Sequence, residues 1–166
     1  DDLKRIPFQT ISVIDKQEII IEGYKIAILS VPGHTKHHLA FFINGDDEKY
    51  KPALFCGDTL FAGGCGRLLE GTAKEMFMSL KKFKDLPEDT NVYCAHEYTE
   101  GNLKWALSLS PNDIAIRERL KNVITILKEG KTSLPSTIKE EKKTNLFLRS
   151  KSIKELSILR KHKDNW

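Results

Sequence analysis

Apolar and polar positions change their spacing about three fifths of the way along this chain. In the first part the apolar residues come in short runs. Glu18–Val31, "EIIIEGYKIAILSV", is two such runs around Glu22-Gly23, the signature of a tight β-hairpin. "HHLAFFI" continues as a strand, and "NGDDEKYKP" is a polar loop with Gly and Pro. "ALFCGD" and "NVYCAH" are two further short strands. Between them "TAKEMFMSLKKFKDL" has helical spacing, with Met76, Leu80 and Phe83 on one face and Thr72 with Glu75 as a capping box.

From residue 99 onward the spacing is helical. "EGNLKWALSL" repeats apolar residues at Leu103, Ala106 and Leu107 and stops at Pro111. "NDIAIRERLKNVITILKEG" places Ile116, Leu120, Val123 and Leu127 on an inner face, with Asn112 as its expected cap and Gly130 as its stop. "SLPST" and "NLFLR" lead to a last helix, "SIKELSILRKHK", with Ser152 and Glu155 as a second expected capping box. Strands first and helices last predict an α/β part over residues 1–98 and a helical part over 99–166.

Composition adds bounds. The 166 residues are 40% hydrophobic and 30% charged, with no repeat or low-complexity tract, enough for one ordinary domain with an appendage. No apolar run approaches the ~20 residues of a membrane helix, and "DDLKRIPFQT" lacks the apolar core of a signal peptide. Cys56, Cys65 and Cys94 are odd in number and form no CxxC pair, which argues against a disulfide framework. A soluble, cytoplasmic protein with reduced thiols and no membrane partner is the expectation. Residues 1–111 hold 13 basic against 16 acidic groups, and residues 112–166 hold 14 against 7. The basic C-terminal third predicts an anionic partner or a solvated helix face. Nucleic acid is disfavoured, because Glu118, Glu129, Glu140, Glu141 and Glu155 are interspersed and no stacking aromatics accompany the cations.

Three apolar runs end alike: "SVPGHT" in His34, "ALFCGDT" in Asp58 and "NVYCAHE" in His96. Each puts a metal-capable side chain just past a strand, where ligands gather in α/β sheets. Two imidazoles and a carboxylate suit zinc, iron or manganese. A lone Asp in a glycine turn is ordinarily a turn residue and a lone His there an ordinary polar cap, so spacing alone leaves both readings open.

The motifs go further. "PGHTKHHLAFF", "FCGDTLFAGGCGRLLEGT", "YCAHEYTEGNLKWALSLSPN", "LPST", "NLFLR" and "LRKHKD" together resemble glyoxalase II, the hydroxyacylglutathione hydrolases of the metallo-β-lactamase superfamily, from about residue 25 to the C-terminus. The resemblance implies the second half of an αβ/βα sandwich followed by a small helical domain. It implies a dinuclear centre, mostly zinc with iron or manganese tolerated, to which His34 and His96 each give one ligand and which Asp58 bridges. The resemblance further implies that no side chain is the nucleophile and that a metal-bound hydroxide would cleave S-D-lactoylglutathione to glutathione and D-lactate, in methylglyoxal detoxification. Arg67, Tyr98, Asn102, Arg160 and Lys163 fall on positions that hold the glutathione moiety, the two arginines by a fork onto carboxylate.

His38 is expected to be structural. His37 replaces a usual Gly, and Leu69 a frequent aromatic. The THxHxDH segment that completes both metal sites is missing, so this chain is expected to leave one sheet face uncovered, to be inactive alone and to need a missing N-terminal half, the complete protein being a monomer. Two other readings remain: a mono-iron persulfide dioxygenase of the same superfamily, against which "NLFLR" and "LRKHKD" count, and a non-catalytic basic binding remnant.

Overall fold

A computed structural model describes residues 6–46 and 49–166. Asp47 and Glu48 of the expected polar loop lie outside the described residues. The chain runs β1 (Glu18–Ile21), β2 (Tyr24–Ser30), β3 (Leu39–Ile43), β4 (Ala53–Gly57), β5 (Leu60–Phe61), β6 (Gly64–Cys65), α1 (Ala73–Lys84), β7 (Asn91–Cys94), α2 (Thr99–Leu109), α3 (Ile114–Lys128), β8 (Ser136–Thr137), α4 (Ile138–Thr144), α5 (Leu146–Arg149) and α6 (Ile153–Asp164).

One sheet has the order β1-β2-β3-β4-β7-β8 and a small hairpin is made of β5 and β6. The β1–β2 hairpin turns at Glu22 and Gly23, both at positive φ, and pairs Ile21 with Tyr24 as the sequence predicts. β4 and β7 run parallel, and β2 lies in the same direction across the antiparallel β3. The carboxyl ends of β2, β4 and β7 therefore open on one edge, and the loops that follow carry His34, Asp58 and His96.

Alternation along the strands sends Ala40, Leu54, Cys56 and Val92 to one face, where all four are fully buried. Helix α1 closes that face with Met76, Leu80 and Phe83, and its Thr72–Glu75 capping box forms in both directions. Trp105, Phe147, Ile138 and Leu156 from the later helices join the same core, so the two expected parts share one interior. The opposite face shows Phe41, Phe55 and Tyr93, in register on neighbouring strands and 37%, 43% and 38% exposed. The face expected to be uncovered is open at these three residues, whereas Ile28, which pairs with Phe41 on the same side, is fully buried.

Three details differ from expectation. Asp113, not Asn112, caps α3: its carboxylate accepts the Ile116 N–H at 3.1 Å and pairs with Arg149 at 2.7 Å. The last helix has half a capping box, because Ser152 accepts from Glu155 while the Glu155 carboxylate takes the Lys151 N–H instead. The stretch after residue 99 also includes a strand, since β8 pairs with β7 through Asn91–Thr137 and Val92–Ser136. His37 is exposed and is not among the residues at positive φ, so replacing Gly there strains nothing.

Candidate active site

The eight residues singled out from the sequence line one cavity of about 740 Å³: His34, Asp58, Arg67, His96, Tyr98, Asn102, Arg160 and Lys163. At its strand-end side, Asp58 sits between the two imidazoles. Its Oδ2 is 3.8 Å from His34 Nε2 and its Oδ1 is 3.4 Å from His96 Nε2. His34 Nδ1 lies 2.8 Å from the Arg67 carbonyl. A carbonyl only accepts, so Nδ1 carries a proton, and Nε2 is the nitrogen turned towards Asp58. That is the arrangement a metal-binding imidazole needs.

His38 behaves as the sequence reading expects. Its Nε2 accepts the Asp58 N–H at 3.1 Å, and burial, followed by the neighbouring His34, holds its pKa below the ordinary histidine value. A neutral His38 thus fixes the Asp58 backbone. Gly57 has φ +52, and a Cβ there would meet His38 Nε2 at 2.5 Å, so glycine is what allows this approach.

The residues present fit divalent cations in a particular way. Among the described residues no three His, Cys, Asp or Glu side chains are gathered to enclose one ion. Instead, two half-sites of one imidazole each share the two oxygens of one carboxylate. Such a donor set suits two neighbouring cations and leaves both needing further ligands.

At the other end of the cavity, Lys163 lies 4.8 Å from the Trp105 ring centroid and 5.7 Å from that of Trp166. Burial, with the nearby Arg160 charge second, lowers its pKa to about 8. Arg160 is buried and already occupied: Nη1 donates to the Cys65 carbonyl at 2.9 Å, while Nε and Nη2 donate to Asp164 at 3.0 and 2.9 Å. Its expected fork is therefore turned largely onto the protein. Asn102 is likewise buried and donates to the Ala62 carbonyl at 2.9 Å. Arg67 and Leu69 are exposed at the rim.

Sequence reasoning missed Phe61 and Trp166, which also line the cavity. Phe61 packs against Tyr98 at 5.2 Å and His96 at 6.0 Å, and Tyr98 stacks on His96 at 5.0 Å. The position of Phe61, three residues after Asp58 in "GDTLF", was the one available signal.

Relatives resolve the family. A family model described as "Hydroxyacylglutathione hydrolase C-terminus" matches residues 97–166. A hydroxyacylglutathione hydrolase of Parasynechococcus marenigrum is 51% identical over 99% of this chain and 67% of its own length. The chain belongs to the hydroxyacylglutathione hydrolase family. A relative of the same name in Prochlorococcus marinus is 56% identical over 99% of this chain and 66% of its own length. The chain thus spans about two thirds of the length of the curated relatives it matches.

Solved structures agree on the fold. A metallo-β-lactamase from Staphylococcus aureus superposes with a TM-score of 0.62 at 23% identity, over 93% of this chain and 38% of the other. ETHE1 from Myxococcus xanthus gives 0.64 at 22% identity, over 93% and 53%. At such identity these establish a metallo-β-lactamase fold and nothing about chemistry.

Proposed function

We propose that this chain forms the substrate-holding part and one side of the metal centre of a hydroxyacylglutathione thioester hydrolase. The observation that carries the reading is the shared carboxylate: both imidazoles face the oxygens of Asp58 at one end of a cavity whose other end is cationic. A thioester of glutathione is bipolar in the matching sense, with a reactive carbonyl at sulfur and carboxylates remote from it.

His34, His96 and Asp58 would hold the cations, zinc being the first choice and iron or manganese alternatives with the same donors. When bound, such a pair supplies Lewis acidity for the thioester carbonyl and lowers the pKa of a water nucleophile. The protein's own work is positional. The Arg67 carbonyl fixes the His34 tautomer, and Tyr98 and Phe61 wall the His96 ring. Lys163, at the rear, offers a point charge to the glycyl carboxylate. Arg160 tightens the cavity by holding the Cys65 carbonyl, and Arg67 at the rim reaches the more mobile end of the ligand.

The remaining third of the relatives is assigned two roles in this proposal. It covers Phe41, Phe55 and Tyr93, and it supplies the ligands that the two half-sites lack. Both roles follow from what this chain leaves open.

The test uses S-propylglutathione, a thioether that binds like the thioester without cleavage. Tryptophan fluorescence should report saturable binding to the 166-residue chain, because Trp105 and Trp166 flank Lys163. Lys163→Ala should weaken it by at least tenfold. With S-D-lactoylglutathione and added zinc, the same chain should turn over at a small fraction of an intact relative's rate. No saturable binding would end the thioester reading, and full turnover would end the requirement for further ligands.

A further inference from the structure

The hairpin of β5 and β6 is too short to hold its own shape. Two residues per strand make few ladder bonds, and such a hairpin is marginal in water. Yet its backbone polar groups are gripped from outside, one after another. The Phe61 and Gly64 carbonyls accept from Asn145 Nδ2 at 3.3 and 2.9 Å. The Gly63 N–H donates to Glu141 Oε2 at 2.8 Å. Asn102 takes the Ala62 carbonyl and Arg160 takes that of Cys65, each at 2.9 Å. Every one of these side chains comes from the helical part of the sequence.

Glu141 and Asn145 stand apart in this set because neither lines the cavity. Both are fully buried. Asn145 Nδ2 also donates to Glu141 Oε2 at 2.8 Å, joining the two, and its Oδ1 caps α5 by accepting the Phe147 N–H. The second oxygen of Glu141 accepts from Arg119 Nη2 at 2.6 Å and from the Ser136 hydroxyl. Both oxygens of this buried carboxylate are thereby hydrogen-bonded, and the ion pair with Arg119 offsets the cost of burying it.

The hairpin in turn sets the imidazoles. Phe61 packs on Tyr98 and His96. Arg67, two residues past Cys65, gives its carbonyl to His34 Nδ1. We propose that Glu141 and Asn145 are positioning residues: a clasp from the helical part that fixes the β5–β6 hairpin and, through it, the orientation of His34 and His96. What those imidazoles then do rests on the thioester reading above; the clasp itself does not.

The test compares Glu141→Gln and Asn145→Ser with Ile28→Ala, a core change on β2 away from the hairpin, all in the 166-residue chain. Two readouts are used where each variant is folded: the affinity for S-propylglutathione and the hydrogen-bonded His34 Nδ1–H signal in nitrogen-15 NMR. The clasp predicts at least tenfold weaker binding and loss of that signal in both clasp variants. Ile28→Ala should lower the melting temperature and move neither. A folded Glu141→Gln that keeps both affinity and signal would overturn the proposal, as would Ile28→Ala changing them equally. If neither clasp variant folds, hydrogen exchange in the unsubstituted chain decides. The Gly63 N–H must exchange as slowly as the amides of α4, and fast exchange there would overturn the clasp. If the thioether does not bind at all, the thioester reading falls while the His34 signal and Gly63 exchange still judge the clasp.

Discussion

The two faces of the main sheet are built from the same strands and have opposite fates. On one, Ala40, Leu54, Cys56 and Val92 are sealed beneath α1 and the later helices. On the other, one residue along each strand, Phe41, Phe55 and Tyr93 stand partly in water. Strand alternation normally pairs a buried apolar face with a polar one when the second is meant for solvent. Here both faces are apolar, which is how a sheet reads when it is packed on both sides. Most of the buried apolar side chains of the sheet therefore lie on the helix-covered face; on the other, Ile28, paired with Phe41, is fully buried, while the three aromatic rings form a surface. The candidate site repeats the contrast: side chains of the helical part hold the β5–β6 hairpin on one flank, while His34, Asp58 and His96 stand at the strand ends on the other.

The sharpest attempt to break this comparison is Leu54→Ala, on the sealed side. Leu54 is fully buried between strands and helices, so the deletion removes apolar contact and leaves a cavity, at a cost of about 3 kcal/mol. Urea denaturation of the isolated chain measures it. A loss below that of a change at the neighbouring Phe55 would show that the two faces do not differ as described.

A second, smaller effect probes the braced flank of the site. Lys163 is charged below its lowered pKa of about 8 and neutral above it. Carboxylate binding should be flat below pH 8 and weaken by up to tenfold per pH unit beyond it, a limit of about 1.4 kcal/mol per unit. Lys163→Arg should remove the pH dependence up to pH 10, because a guanidinium does not titrate there. The effect on folding has the opposite sign. The group's pKa is lower folded than unfolded, so between pH 8 and about 10.4 only the unfolded chain holds the proton, and this lysine's contribution to stability rises with pH. Affinity that stays constant through pH 9 in the unsubstituted chain would remove Lys163 from ligand binding.

How far these features were legible in the sequence depends on their range. The Glu22-Gly23 hairpin, the Thr72 capping box and the α1 face are local patterns, and each formed as read. The three strand ends that meet around Asp58 were legible because each carries a short motif beside glycine or alanine. The Asp113 cap was misplaced by one residue because Asn112 and Asp113 are equally good caps in isolation; the ion pair to Arg149, 36 positions away, favours the latter. The clasp was invisible. Glu141 lies in "IKEEKKT" and Arg119 in "RERLK", stretches that read as solvated helix faces. Their burial follows from a pairing across 22 positions that no periodicity encodes.

The smallest expected effect is the most telling about the open face. Phe55 and Tyr93 stack on each other at 5.0 Å with rings 13° apart, and such a pair is worth roughly 0.5–1.5 kcal/mol beyond area burial. Replacing both with threonine puts a strand-favouring, β-branched residue on each strand and removes the stack together with surface that water already reaches. The double variant should lose only about 1 kcal/mol in urea, well short of Leu54→Ala, and bind S-propylglutathione as before, since neither residue lines the cavity. Its binding of a hydrophobic dye, and any self-association in sedimentation, should fall markedly, because a contiguous aromatic patch drives both. Should the double variant instead unfold the chain, those rings would be holding it together, and the face we describe as waiting for a cover would already be serving as core.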